Sequence, residues 1–351
     1  MSLSHYTKLL RFSYIFFAIF LISGSVITFF TASSAHAAPT LPGTVRPGNV
    51  TILLVHGFNG DSSGSPAGFN CKDNNNYGWG TVLNYLGQSH DINGQSLRWN
   101  RQDFRTIQFY GNDTNCDANL HDSNYASHCS GYVSGNEGNN NESLYHLSCL
   151  FAWYLYDKFG KYGYSVEIVA HSMGGLIVRN TIYQVQNHKS SYMPPTIGGI
   201  SDVVTFATPH GGIPGGGGIF TCGSCTQIKD MTSGSQFMNE MYNSAQNPQA
   251  TSGTDWTLMG DNGSIGNRIR CDSSVPPGSA TYMYGGRKSV FNNLCYSHAG
   301  YLTDTNDAYN GDIYWCDGCG LPPNYFSSWN RNTTAPHSLH HMMYALWLST
   351  W

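Results

Sequence analysis

Runs of consecutive apolar residues alternate along this chain with segments whose apolar residues recur at helical spacing. The continuous runs are typical of strands buried on both faces of a sheet, and they read VTILLVHG (50–57), FRTIQFY (104–110), VEIVA (166–170), DVVTFATPHGG (202–212) and DWTLMG (255–260). Helical spacing marks the segments 79–87, 141–160 and the stretch that ends near Gln186. Strands that alternate with helices predict βαβ units, and therefore a mostly parallel central sheet with helices on both faces.

The first 37 residues follow a different pattern. Two basic residues precede an apolar run over 12–30, and the sequence AHA at 35–37 completes an A-x-A cleavage site. This order predicts a secretory signal peptide over 1–37 that leaves a single domain over 38–351. The alternative is an uncleaved membrane anchor, because the apolar run approaches the length of a spanning helix.

The charge of the mature chain limits the classes of partner that it can bind. Removal of the signal segment leaves 15 basic and 21 acidic side chains, a net charge of −6. No cluster of Lys or Arg remains, which argues against nucleic acid or an anionic surface as a partner. No second apolar run is long enough to span a bilayer. We therefore expect the mature chain to be a soluble domain that is secreted from the cell.

The cysteines predict covalent cross-links. All ten follow the signal segment, and an even number in an exported chain indicates disulfides. Two C-x-x-C pairs, 222/225 and 316/319, are also a zinc-ligand pattern. Their separation is much larger than in zinc ribbons, and no histidine lies at matched spacing beside either pair. The spacing therefore favours two tight disulfide loops and no metal.

The segment IVAHSMGGLIVR (168–179) puts a serine between a buried strand and an apolar helix. A nucleophile elbow has this arrangement, with the serine on a tight strand-to-helix turn. The turn forces small residues two before and two after the serine, and Ala170 and Gly174 hold these positions. A serine that only caps a helix needs neither the small flanks nor two following glycines. The pattern predicts Ser172 as a catalytic nucleophile.

Acyl transfer also needs hydrogen-bond donors for the oxyanion that forms on the substrate. The backbone N–H of Met173, directly after the serine, is the first candidate. His56-Gly57 closes the first apolar run. We expect the N–H of Phe58, which follows it, to be the second donor.

Three segments, VTILLVHGFNG, VEIVAHSMGGLIVR and DVVTFATPHGG, together resemble the α/β-hydrolase fold. Within that fold they are similar to secreted bacterial lipases and esterases with an Ala-His-Ser-Met-Gly elbow. The resemblance extends over about residues 48–305 and implies a catalytic order of Ser, Asp and His along the chain. The cysteine-bearing insertions are larger than in the smallest such lipases, so we expect disulfide-stapled loops around the shared core.

The resemblance assigns the catalytic acid to Asp272, because CDSSVPPGSA (271–280) matches the family pattern D-x-x-V-P-x-x-S-A. Asp261 is the alternative, since it directly follows the apolar run DWTLMG. An aspartate before Asn-Gly is also typical of an ordinary turn.

The base is assigned to His298, which lies a few residues before a leucine in LCYSHAGYLTD (294–304), as in families of this kind. The alternatives are the histidines at the start of an apolar terminal helix, where packing and capping are the expected roles: His337, His340 and His341. Two further histidines are typical of the family and are expected to be structural, namely His171 and His210.

These residues imply a serine esterase or lipase that forms an acyl-enzyme on Ser172, with an ester or lipid as substrate and no metal or organic cofactor. Hydrolysis of another acyl bond, in a peptide, a thioester or a polyester, is the alternative chemistry. A non-catalytic binding protein on the same fold is the alternative from a different class, and a complete triad argues against it.

The proposed triad also predicts disulfide pairing. Asp272 and His298 must meet, which brings their neighbours Cys271 and Cys295 within reach of a bridge. By the same reasoning we expect Cys71–Cys116 and Cys129–Cys149, and the two C-x-x-C pairs then close locally.

Overall fold

The computed structural model describes residues 50–59, 68–74, 78–92, 95–133, 135–213, 222, 224–242, 254–260, 280–285, 302, 312–317 and 338–347. The strands are β1 (Thr51–Val55), β2 (His90–Ile92), β3 (Gln95–Leu97), β4 (Phe104–Gln108), β5 (Ala118–Asn119), β6 (Ser165–His171), β7 (Gly199–Phe206), β8 (Asp255–Gly260), β9 (Ala280–Gly285) and β10 (Asp312–Asp317). The α-helices are α1 (Gly80–Leu86), α2 (Ser123–Ala126), α3 (Leu144–Lys158), α4 (Met173–Gln186), α5 (Thr226–Met231), α6 (Gln236–Tyr242) and α7 (Ser338–Trp347).

Eight strands form one sheet in the order β10-β9-β8-β7-β6-β1-β4-β5. Every neighbouring pair is parallel except β9 and β10 at one end. A separate antiparallel hairpin joins β2 to β3. A mostly parallel sheet, with a serine turn at the end of its central strand β6, is the α/β-hydrolase fold, as the sequence predicts.

Alternate residues of β1 point to opposite sides of the sheet. Leu53 and Val55 pack in a core cluster that includes buried residues of α3 and α4. Ile52 and Leu54 pack in a second cluster, which contains residues of α1 and α7. All four side chains are fully buried. The prediction of helices on both faces is confirmed, and it explains why this strand is apolar from Ile52 to Val55.

Each of the five apolar runs coincides with an observed strand, although β1, β4 and β7 end before their runs do. The run at 104–110 shows why, because its strand β4 ends at Gln108. The next two residues, Phe109 and Tyr110, donate their N–H groups to the carboxylate of Asp113 instead of to a neighbouring strand. Their side chains are nevertheless fully buried, so hydrophobicity continues beyond the hydrogen-bonded ladder.

Three of the expected disulfides are present. Cys71 is bonded to Cys116, Cys129 to Cys149 and Cys222 to Cys225. The 222/225 pair is thus cross-linked to itself, which leaves no thiolate for zinc. The pairs 271/295 and 316/319 lie outside the residues whose side chains are described, as does the segment 1–37.

Within the described ranges, none of the helices combines the length and the apolar character that crossing a bilayer requires.

Candidate active site

The serine turn has the geometry of a nucleophile elbow. Ser172 follows the last residue of β6 and precedes the first residue of α4, with φ 53° and ψ −127°. A positive φ is rare for a residue with a side chain and is retained only where its surroundings enforce it. Here the Ser172 N–H donates to the Phe206 carbonyl at 2.8 Å. The Thr208 hydroxyl donates to the Ser172 carbonyl at 2.8 Å.

Small residues around the turn allow three backbone segments to meet. A Cβ added to Gly57 lies only 2.6 Å from Ser172 Cβ, and one added to Gly174 collides with the His56 carbonyl oxygen. A Cβ on Gly175 collides with the Thr208 hydroxyl. The glycines that follow the serine are therefore required by packing, as the elbow interpretation expects, and Gly57 is required for the same reason.

Helix α4 presents its N-terminus beneath the serine. Met173 is the first residue of this 14-residue helix, and the N–H groups of a first turn have no partner within their own helix. The N-terminal end of the helix dipole also favours negative charge. Both properties suit the N–H of Met173 for an oxyanion.

Strands β1 and β6 are parallel neighbours, with Val55 paired to Ala170. Because they end at the same level, the residues that follow β1 lie beside the elbow. Phe58 is half-buried there and packs against the core. The structure thus brings three of the predicted site residues, Ser172, Met173 and Phe58, to one edge of the sheet.

The predicted acid and base, Asp272 and His298, lie outside the described residues, as do the alternatives Asp261 and His337. His340 and His341 are on α7, where the sequence places them. His340 Nδ1 lies 2.7 Å from the Tyr85 hydroxyl. Burial, together with the charge of His340, lowers the pKa of His341 well below its usual value.

The two histidines expected to be structural are both buried. His171 ends β6 beside the serine and is 1% exposed. His210 is equally buried, with Nε2 3.2 Å from the Thr205 hydroxyl. Burial, and then the positive charge of Arg179, hold the pKa of His210 well below its usual value, so its imidazole is neutral at physiological pH.

One buried pair beside the site is absent from the sequence interpretation. His56 Nε2 lies 2.9 Å from Asp113 Oδ2, and Asp113 also accepts N–H groups of Phe69, Phe109 and Tyr110. Burial raises the pKa of the Asp113 carboxyl, but the charge and hydrogen bond of His56, with the backbone donors, outweigh it and lower this pKa below its usual value. In the sequence, the His-Gly pattern indicated only a backbone donor, the N–H of Phe58. No local pattern links His56 to Asp113, which lies 57 positions further along the chain.

Among the described residues, no group of three or more His, Cys, Asp or Glu side chains is arranged to hold a metal ion.

Comparison with known proteins adds a family match over part of the chain. Residues 152–247 match the family described as "Putative serine esterase (DUF676)". The matched segment begins within α3, contains the elbow and ends just after α6, and it is less than a third of the sequence. No curated protein matches the chain.

Two solved structures are similar at low identity. Phospholipase PlaB from Legionella pneumophila, in complex with thio-NAD, is 14% identical over 65% of this chain and 44% of its own, with a TM-score of 0.34. The mature lipase BlEst2 from Bacillus licheniformis is 16% identical over 64% of this chain and 70% of its own, with a TM-score of 0.32. The match spans less than half the length of the Legionella phospholipase.

The fold assignment rests on the sheet topology and the elbow rather than on these likenesses. The family match over 152–247, taken with the geometry of Ser172, supports a serine hydrolase that acts on esters.

Proposed function

We propose that this protein is a secreted serine hydrolase of the lipase or esterase type, which cleaves carboxylic esters through an acyl-enzyme. The observation that carries the proposal is the backbone of Ser172, held at φ 53° between β6 and α4. A helix cap does not require a positive φ, since cap residues have β-region backbones. A nucleophile that must stand clear of the sheet does require such a strained turn.

In the proposed reaction His298 takes the proton of Ser172, and the serine oxygen attacks the ester carbonyl. Asp272 fixes the imidazole tautomer and stabilises the imidazolium that forms. The N–H groups of Phe58 and Met173 hold the oxyanion, and each contributes about 3 kcal/mol to lowering the barrier. The alcohol leaves with the proton, and water then releases the acid by the same steps. No metal or organic cofactor takes part in these steps.

Sheet topology supports the assignment of the acid and the base. Strands β8 and β9 run parallel to β6 and β7, so their last residues, Gly260 and Gly285, lie at the edge of the sheet where Ser172 stands. Asp272 follows β8 in the chain and His298 follows β9. Asp261 also follows β8, so topology alone does not separate the two acids.

Export of the protein is part of the proposal. The segment 1–37 has the order of a signal peptide, and disulfides such as Cys71–Cys116 persist in oxidising compartments. The mature chain then meets its ester or lipid substrate outside the cell.

The test is hydrolysis of p-nitrophenyl esters of rising acyl length by the mature protein and by Ser172→Ala. We expect the variant to lose several orders of magnitude in kcat with an unchanged melting temperature. Ser148→Ala is the matched control, because Ser148 is equally buried and its hydroxyl donates to the Leu144 carbonyl, within α3.

A fluorophosphonate probe separates the alternatives. Labelling of the wild type that is absent in Ser172→Ala supports a nucleophilic serine. A protein that binds esters but resists the probe, or a Ser172→Ala variant with near-wild-type turnover, contradicts the hydrolase.

A further inference from the structure

We propose that the buried pair His56–Asp113 holds the Gly57–Phe58 peptide in the orientation that an oxyanion needs. Both residues are then positioning residues for the reaction. This inference rests on the proposed function, because it assigns a role within the same site.

The hydrogen bonds of His56 reach the peptide that carries the expected oxyanion donor. His56 Nδ1 lies 3.0 Å from the carbonyl oxygen of Gly57. That carbonyl and the N–H of Phe58 belong to one peptide unit, which is planar and trans, so the two groups point in opposite directions. Fixing the oxygen toward His56 therefore fixes the Phe58 N–H away from it.

The other partner of the imidazole orients its ring. His56 Nε2 faces the Asp113 carboxylate at 2.9 Å, and Nδ1 faces a carbonyl. Both partners are acceptors only. Nδ1 therefore donates to the Gly57 carbonyl, and the contact of Nε2 with Asp113 fixes the orientation of the ring that makes this bond.

The surroundings keep this pair in place. His56 is 1% exposed, and its ring stacks on Phe109 with centroids 3.9 Å apart and lies 4.3 Å from the ring of Phe69. Three backbone N–H groups hold the Asp113 carboxylate. Water does not compete for the pair at this depth, and the low local dielectric strengthens its hydrogen bonds.

A second anchor holds the other side of Phe58. The N–H of Asn59 donates to the Tyr110 hydroxyl at 3.3 Å. That hydroxyl in turn donates to Gln227 Oε1 at 2.7 Å. The expected oxyanion donor thus lies between two fixed points, one at His56 and one at Asn59.

The first test compares Asp113→Asn with Asp117→Asn in kinetics of ester hydrolysis. The control Asp117 also accepts a backbone N–H, from Thr106 at 2.9 Å, but it lies at the sheet edge beside β5. Asparagine at 113 keeps the shape of the side chain and removes the charge. We expect kcat of Asp113→Asn to fall roughly tenfold to a hundredfold with KM nearly unchanged, because a misplaced donor weakens only transition-state binding. Asp117→Asn should keep its kcat.

The second test is a neutron diffraction map of the wild type, which needs no variant to fold. We expect deuterium on Nδ1 of His56, directed at the Gly57 carbonyl oxygen. A bare Nδ1 overturns the proposal, and so does an unchanged kcat in a folded Asp113→Asn protein.

These outcomes separate the inference from the proposed function. If the wild type hydrolyses esters and Asp113→Asn matches it, only the positioning role fails. If the wild type hydrolyses no ester, the proposed function fails, and the neutron map still decides whether His56 holds the peptide.

Discussion

At the scale of single residues, the site depends on glycines, whose lack of a side chain lets neighbouring backbone segments approach closely. Gly57 lies against the nucleophile so closely that a methyl group has no room, and Gly174 lies equally close to the backbone of His56. The loop after β1 can contact the serine turn only because these two positions are glycines. The strain at Ser172, of order 1–3 kcal/mol for a backbone in this region, is balanced by the bonds that hold it.

We predict that Gly57→Ala lowers both activity and stability. The added Cβ lies 2.6 Å from Ser172 Cβ and 3.1 Å from the His171 carbonyl oxygen, so either the loop or the elbow must shift. Overpacking of this kind costs about 1–3 kcal/mol. Ester turnover and denaturant unfolding measure the two effects.

Gly111→Ala is the control for that substitution, because its added Cβ meets nothing closer than an ordinary contact at 3.6 Å. Equal behaviour of the two variants is incompatible with the close packing of the loop against the serine.

At the scale of elements, the first N–H group of helix α3 is bonded to a carboxylate from another helix. Asp230 in α5 accepts the N–H of Leu144, the first residue of α3, at 2.8 Å. Burial raises the pKa of Asp230 from 3.8 to about 6, although the Leu144 N–H works in the opposite direction. The junction between the two helices is therefore sensitive to mildly acidic pH.

The sign of this effect follows from proton linkage. The folded protein holds the Asp230 proton more tightly than the unfolded chain, so Asp230 contributes most to stability below pH 3.8 and loses this contribution as the pH rises through about 6. The loss is of order 3 kcal/mol. Asparagine at this position can still accept the Leu144 N–H. We therefore predict that Asp230→Asn removes the pH-dependent part of this contribution to stability.

Urea unfolding of the wild type and of Asp230→Asn between pH 4 and pH 8 measures this pH-dependent contribution to the free energy of unfolding. The variant should gain stability relative to the wild type as the pH rises. A difference that stays constant with pH contradicts the prediction.

The disulfides are expected to stabilise the fold unequally. Cys129–Cys149 spans 20 residues, whereas Cys222–Cys225 spans 3. On the chain-entropy account the longer loop contributes roughly 3 kcal/mol and the shorter roughly 2 kcal/mol. Double Cys→Ser variants at each pair, compared by denaturant unfolding, should rank in this order. The reverse order contradicts the prediction.

The elements that sequence alone predicts are those with a strong local cause. The run at 166–170 and the helix that ends at Gln186 are buried almost throughout, so their apolar patterns are clear. Strands β9 and β10, at one end of the sheet, mix polar with apolar residues in six positions each, and no periodicity marks them. The site follows the same division, because the elbow is contiguous in sequence whereas the pairing of His56 with Asp113 depends on how β1 and β4 align.

At the scale of the whole molecule, the proposed triad is assembled by strands that are distant in sequence. Ser172 follows β6, and the candidate acids follow β8, two strands along the sheet. We predict that Asp272→Ala abolishes most turnover at unchanged stability. Without this carboxylate, nothing would hold the His298 imidazole in the tautomer that accepts the serine proton. Asp261→Ala should retain turnover. If Asp261→Ala is the more damaging of the two, the acid has been assigned to the wrong residue.

The bridge Cys271–Cys295 remains a prediction that links this assembly to covalent structure. It joins the neighbours of the proposed acid and base, in the segments after β8 and β9. Peptide mapping of the unreduced protein decides it. A different partner for Cys271, or a free thiol, contradicts the bridge and weakens the assignment of His298.

The end of the sheet at β5 has a consequence for colloidal behaviour. This outermost strand has only two residues, and Asp117 directly before it forms ion pairs with Lys72 at 3.1 Å and Arg101 at 3.0 Å. A short edge flanked by charges offers a second molecule almost no backbone to pair with. Strand addition from molecule to molecule, the first step toward a fibril, is therefore suppressed at this end even when the protein is concentrated.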